Sequence, residues 1–114
     1  MDEGLGKRLF DFAVSIIKFC RGLKKSKEND VISYQLIKSS TSSGANYEEA
    51  QAAISKADFI NKINISLKEM RESNYWLRIL SKIDNEEKVN SFLNESNELK
   101  KILGSIYSKS SIKK

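Results

Sequence analysis

Two carboxylate pairs, Glu48 with Glu49 and Glu69 with Glu72, are the residues of this chain whose type and spacing come nearest to chemistry. Neighbouring acids on a helix can share a proton or a cation, which general acid–base pairs and metal centres require. A di-metal site in a helical bundle adds a Glu-x-x-His pair, however, and the chain contains no histidine. The same absence removes imidazole general-base chemistry and His-ligated zinc. The hydroxyl run Ser39–Ser43 offers nucleophiles, but no Gly-x-Ser-x-Gly elbow surrounds it and no Gly-rich phosphate loop exists elsewhere. One cysteine permits neither an internal disulfide nor a metal-binding cluster. Cys20 lies among apolar residues at helical spacing and reads as a packed, reduced thiol. Glu69 and Glu72 therefore read as structural, paired with Lys38, Arg71, Arg78 or side-chain amides. The expectation is a protein that is not an enzyme, with no cofactor, no metal and no small-molecule substrate.

The rest of the composition agrees. The chain has 114 residues, no proline and five glycines, which suits one domain spanning 1–114 and removes the usual punctuation of hairpins and sandwiches. Asp2 and Glu3 precede the first apolar stretch, and Asp11, Lys18 and Arg21 interrupt it, unlike a signal peptide. No apolar run approaches the ~18 residues of a membrane span. A cytoplasmic protein without membrane contact is expected. The formal net charge is +5 and unevenly placed: +3 over residues 1–25, −2 over 26–54, +3 over 55–83 and +1 over 84–114. A modest basic excess marks either a solvated surface or attraction to nucleic acid.

Four segments must position these residues. From about 6 to 24, Leu9, Phe10, Phe12, Ala13, Ile16, Ile17, Phe19, Cys20 and Leu23 recur at three- and four-residue spacings, so a deeply wedged helix is predicted. Lys7, Lys18, Arg21 and Lys25 fall on its opposite face, diluted by Asp11 and Val14. Asn29 or Asp30 can cap a second helix. Poor helix formers from Ser39 to Ala45 leave two readings, a loop or one continuous helix over about 30–53 whose small residues admit a close neighbour. Ser55, with Asp58 three residues on, has capping-box spacing for a third helix over about 55–82. There Ile60, Ile63, Leu67, Met70, Asn74 and Leu77 form a core seam. A second stripe, Ile65, Trp76 and Ile79 interleaved with Glu69 and Glu72, lies roughly opposite and suits contact with a second subunit, Trp76 above all. Asp84-Asn85-Glu86-Glu87 makes a turn and an acidic first helical turn, and a fourth helix is predicted over about 86–107 before a basic tail at 108–114. Four amphipathic helices with short connections predict an all-α, antiparallel up-down-up-down four-helix bundle.

The centre of the chain resembles a known family. The stretch from Gln35 to Ala50, QLIKSSTSSGANYEEA, is similar to the second-helix signature of the bacterial "four helix bundle" proteins, also known as 23S rRNA intervening-sequence proteins. The runs Ser55–Ile60 (SKADFI) and Leu67–Leu77 (LKEMRESNYWL) resemble the third-helix signature. Gln35, Ser39, Asn46, Glu49, Asp58 and Phe59 are the positions that carry the likeness. Lys38 stands where arginine is common, which keeps charge but loses the bidentate fork, and Ser43 stands where a branched apolar residue is common.

This resemblance implies that the Ser-rich run is helical, with its small residues at close helix contacts. It also implies a homo-oligomer, five-fold symmetric and so a pentamer, with Ile65, Glu69, Glu72, Trp76 and Ile79 as candidate interface residues. Family members are often encoded within insertions in ribosomal RNA genes. A related branch serves as accessory proteins of diversity-generating retroelements, assembling with a reverse transcriptase and binding nucleic acid through a basic surface.

The leading expectation is therefore a homo-oligomer that binds structured RNA or DNA through Lys7, Lys18, Arg21, Lys25, Lys38, Arg71 and Arg78. The alternative is an accessory subunit of a retroelement reverse transcriptase, or a protein-interaction scaffold without nucleic-acid binding. An enzyme using Glu69 and Glu72, or a Ser–Lys pair, is the third reading. No interleaving of basic and aromatic residues suggests a single-strand platform, so stacking on bases is not expected from the sequence.

Overall fold

The computed structural model describes residues 3–83 and 87–111. Four helices follow one another: α1 (Glu3–Arg21), α2 (Lys27–Gln51), α3 (Lys56–Ile83) and α4 (Glu87–Ser111). No strand occurs among the described residues, and the bundle measures 50 × 22 × 19 Å. Cross-helix contacts fix the directions. Gly44 lies against Leu9 and Gly6 against Tyr47, so α1 and α2 are antiparallel. Ser39 meets Ser73 and Ser43 meets Ser66, so α2 and α3 are antiparallel, and Arg8 meeting Glu95 while Phe12 meets Phe92 sets α4 antiparallel to α1. The predicted antiparallel four-helix bundle is the fold.

The core is built from the expected periodicity. Leu5, Leu9, Phe12, Ile16 and Cys20 of α1 meet Ile32, Leu36, Tyr47 and Ala50 of α2 and Ile63, Leu67, Met70, Leu77 and Leu80 of α3, closed by Val89, Leu99 and Leu103 of α4. Burial pushes the Cys20 thiol above its ordinary pKa, against a hydrogen bond with Ser33. That is the inert thiol of a packed residue. α1 is wedged into the core along Leu5, Leu9, Phe12, Ala13, Ile16 and Cys20, while Phe10 remains 60% exposed beside an apolar groove between α1 and α2.

The Ser39–Ala45 run is helical, and its partners give the reason. Ser39 Oγ lies 2.8 Å from Ser73 Oγ. Ser43 Oγ donates to the Ser66 carbonyl at 2.9 Å, and Ser66 Oγ donates to the Ser43 carbonyl at 2.7 Å. Small polar side chains on both helices let the backbones approach and still satisfy their hydroxyls. Tertiary pairing thus overrides weak intrinsic propensity. Every buried side-chain nitrogen or oxygen among the described residues has a hydrogen-bond partner.

Helix ends depart from the sequence reading for local reasons. α1 stops at Arg21 rather than 24, because the Gly22 and Leu23 amides turn back onto the Phe19 and Cys20 carbonyls. Lys25 therefore lies in the connection, off the basic face of α1. Ser26, not Asn29 or Asp30, caps α2: its Oγ accepts from the Asn29 amide at 3.1 Å, while the Asn29 side chain donates to the Lys24 carbonyl. The predicted box at α3 is present, with Ser55 Oγ accepting from the Asp58 amide at 3.0 Å. The Asp58 carboxylate accepts from the Ile54 amide, one residue before the cap. α4 continues to Ser111, so 108–111 is helix rather than tail. The expected start at 86, the turn at Asp84–Glu86 and the tail residues 112–114 lie outside the described residues.

α1 and α4 form the least intimate seam. Phe92 packs edge-on against Phe12 and Phe19, and Arg8 forms a two-point ion pair with Glu95, Nη2 to Oε1 at 2.8 Å and Nε to Oε2 at 3.0 Å. An open cleft of about 750 Å³ lies along this seam, lined among others by Asp11, Ser15, Asn94 and Glu98.

Candidate nucleic-acid interface

The solvent face of α3 carries Lys68, Arg71, Tyr75, Arg78 and Lys82, all exposed and spaced three, four, three and four residues apart. That spacing returns each side chain to one stripe, about 21 Å long at 1.5 Å per residue. The carboxylates of α3 do not share it. Asp58 caps the helix, and Glu69 and Glu72 are half-buried on the flank toward α2. None of these four cations forms an ion pair among the described residues; the pairs there are Lys7–Asp11, Arg8–Glu95 and Lys62–Glu49.

Asn74 organises one side of this stripe. It is only 2% exposed, and its Nδ2 donates to Ser96 Oγ at 2.8 Å and to Asn97 Oδ1 at 3.1 Å on α4. Its Oδ1 accepts from Arg78 Nε at 3.0 Å and, more weakly, from Lys100 Nζ at 3.4 Å. Two cations from different helices thus converge on one carbonyl oxygen. Burial lowers the Lys100 pKa, and the positive charges of Arg78 and Arg71 lower it further. The polar member of the core seam is the link that draws α4 into the basic face. On the other side, the Arg78 guanidinium carbon lies 5.6 Å from the centre of the Tyr75 ring, a cation–π arrangement.

The structure brings together only some of the seven cations singled out in the sequence. Arg71 and Arg78 share the α3–α4 face. Lys7, Lys18 and Arg21 are exposed on α1, with Lys7 neutralised by Asp11 at 2.7 Å, and Lys38 is exposed on α2. Lys68, Tyr75 and Lys82 extend this face at a three- and four-residue spacing already present in the sequence, so basic and aromatic residues do interleave on α3, contrary to the expectation above. Lys100 was not legible, because only the pairing of α3 with α4 places it there.

The second stripe of α3 is half-buried throughout: Ile65, Glu69, Glu72, Trp76 and Ile79. Trp76 and Ile79 pack against the core from its edge, so this stripe is a flank of the bundle as much as an outer surface. The anticipated partners of the glutamates resolve differently. Glu72 accepts from Trp76 Nε1 at 3.1 Å, and Arg78 is engaged by Asn74 instead. Burial raises the Glu69 pKa, the neighbouring Glu72 raises it further, and Lys38 opposes both.

The six signature positions have structural roles or half-buried placements. Ser39 is buried against Ser73, and Asn46 Nδ2 bonds the Ser42 carbonyl at 2.9 Å. Glu49 lies 3.6 Å from Lys62, Asp58 caps α3, Phe59 packs on the core and Gln35 is half-buried. No group of three or more acidic or cysteine side chains able to hold a metal ion occurs among the described residues. No helix among them is long and apolar enough to cross a membrane.

Comparison with known proteins agrees with this architecture. Residues 5–105 match the family model described as 23S rRNA-intervening sequence protein. A solved structure, described as a protein with unknown function from the S23 ribosomal protein family of Bacteroides thetaiotaomicron VPI-5482, superimposes with a TM-score of 0.83. The two are 41% identical, over 90% of this chain and 97% of that one. No curated protein matches significantly. With nearly the whole bundle matched, the chain belongs to the 23S rRNA-intervening sequence protein family.

Proposed function

We propose that this chain is a non-catalytic nucleic-acid-binding bundle that engages the phosphate backbone of RNA or DNA through α3 and the adjoining edge of α4. The observation that carries this reading is the convergence of Lys68, Arg71, Arg78, Lys82 and Lys100 on one face without an ion-pairing carboxylate among the described residues. Like charges held together destabilise the free protein and are relieved by a polyanion, which gains further from counterion release. Binding to duplex should fall steeply with salt, with a slope of log K against log salt near −0.9 for each phosphate neutralised. Anisotropy titrations of a labelled RNA or DNA over a salt series test this. Arg71→Gln with Lys68→Gln should make the slope shallower by about 2. No binding to either polymer at low salt would refute the reading.

Self-association belongs to the same proposal. Ile65, Trp76 and Ile79 retain partial exposure on the α2–α3 flank, and Phe10 with Val14 and Ile17 leaves apolar surface on the α1–α2 side. Apolar surface on separate flanks suits a head-to-tail contact that closes into a ring. Light scattering should then give several times 13.0 kDa, and Trp76→Ala should lower that mass more than Tyr75→Ala. A monomeric wild-type protein would contradict this part.

A further inference from the structure

We infer that the nucleic acid taken by this face is single-stranded, with one base stacking at Tyr75 while its flanking phosphates meet the cations on either side. The inference rests on the backbone-binding reading above and deepens it. Tyr75 stands at the middle of the stripe, with Arg71 and Lys68 toward one end and Arg78 and Lys82 toward the other. Tyr75 is 48% exposed, and no hydrogen bond holds its hydroxyl among the described residues. Although Trp76 and Arg78 pack on it, about half of its surface stays in water within a row of cations. Phosphates alone would need only the cations.

The ring is also held in place. Trp76 meets it edge-on with centroids 5.2 Å apart, and Arg78 lies against it while Asn74 fixes the Arg78 Nε. Asn74 is in turn buried and bonded to α4, so the aromatic–guanidinium pair is pre-set by the core rather than assembled on contact. Pre-set groups lose little entropy on binding. A stacked base adds a second flat partner to this pair, and both tyrosine rings and guanidinium planes serve as stacking surfaces for unpaired bases. In a duplex the bases are already stacked and cannot reach a ring on a straight helix face. The same cations then give backbone affinity alone.

The test compares three labelled ligands of equal length by anisotropy at one salt concentration: an oligopyrimidine single strand, the same strand with abasic sites, and a duplex. Wild-type protein should bind the intact strand more tightly than the abasic one. Tyr75→Ala should weaken the intact strand roughly 5- to 100-fold, leave the abasic strand and the duplex unchanged, and keep the salt slope. Tyr75→Phe should restore binding, because the ring and not the hydroxyl is required. Circular dichroism confirms that these exposed-site variants keep the bundle. Equal affinity for intact and abasic strands, or an equal loss on all three ligands in Tyr75→Ala, overturns the stacking inference while backbone binding stands. Failure to bind any of the three overturns both readings together.

Discussion

Ser43 and Ser66 exchange hydrogen bonds with each other's main chain across the α2–α3 seam, each hydroxyl donating to the carbonyl of the other. Both residues are fully buried. The exchange sets how closely the two helices approach, because any larger side chain at either position meets the opposing backbone. Ser43→Leu should therefore destabilise the bundle by about 1–3 kcal/mol through overpacking. Ser66→Ala, which only removes a hydroxyl, should lose about 1 kcal/mol. Urea unfolding followed by circular dichroism measures both, and Ser43→Leu matching wild type would mean the seam is looser than its geometry indicates.

Gly44 sits inside α2, where a Cβ would meet Leu9 at 3.6 Å, an ordinary contact distance, and its φ is not positive. Nothing in its surroundings requires glycine. Gly44→Ala should stabilise the protein by about 0.5–1 kcal/mol through helix propensity and the unfolded-state entropy of glycine. A raised thermal midpoint is the expected outcome. A lowered one would show that α1 packs against this position more tightly than the 3.6 Å contact indicates.

The Arg8–Glu95 pair ties α1 to α4 where apolar packing is thinnest. Its side chains are 40% and 34% exposed, so solvent screens it despite the two-point geometry. A double-mutant cycle with Arg8→Ala and Glu95→Ala should return a coupling of about 1 kcal/mol or less. The coupling should shrink in high salt. A coupling unchanged between low and high salt would argue that the pair acts through shape rather than charge.

Glu69 responds to pH in a direction set by its surroundings. Its folded pKa is raised by burial and by Glu72, with Lys38 opposing. The ionised carboxylate therefore costs stability above its folded pKa, and the cost disappears as pH falls below its unfolded value of about 4.3. Glu69→Gln should raise the urea midpoint at pH 7 and leave it unchanged near pH 4. Should Glu69→Gln lower the midpoint at pH 7, the attraction of Lys38 outweighs burial and the like charge of Glu72.

Much of this architecture was legible from residue types alone. Three- and four-residue spacing of Leu9, Ile16, Ile63, Met70, Leu99 and their neighbours specifies four amphipathic helices, since a 3.6-residue period leaves one face to bury. Ser55 and Asp58 announced their cap because an N-cap interaction spans only three residues and depends on nothing distant. The missing histidine excluded whole classes of chemistry before any fold was known. Tertiary structure decided what depends on neighbours far along the chain. Whether Ser39–Ala45 forms a helix turned on Ser66 and Ser73, because propensity alone disfavours it and only a small-residue partner lets α3 come close. Asn74 was visible as a polar break in an apolar seam, but its role required α4 to bring Ser96, Asn97 and Lys100 alongside. The basic face follows the same division: local periodicity aligns Lys68, Arg71, Tyr75, Arg78 and Lys82, and helix pairing adds Lys100 and holds Arg78 against the ring.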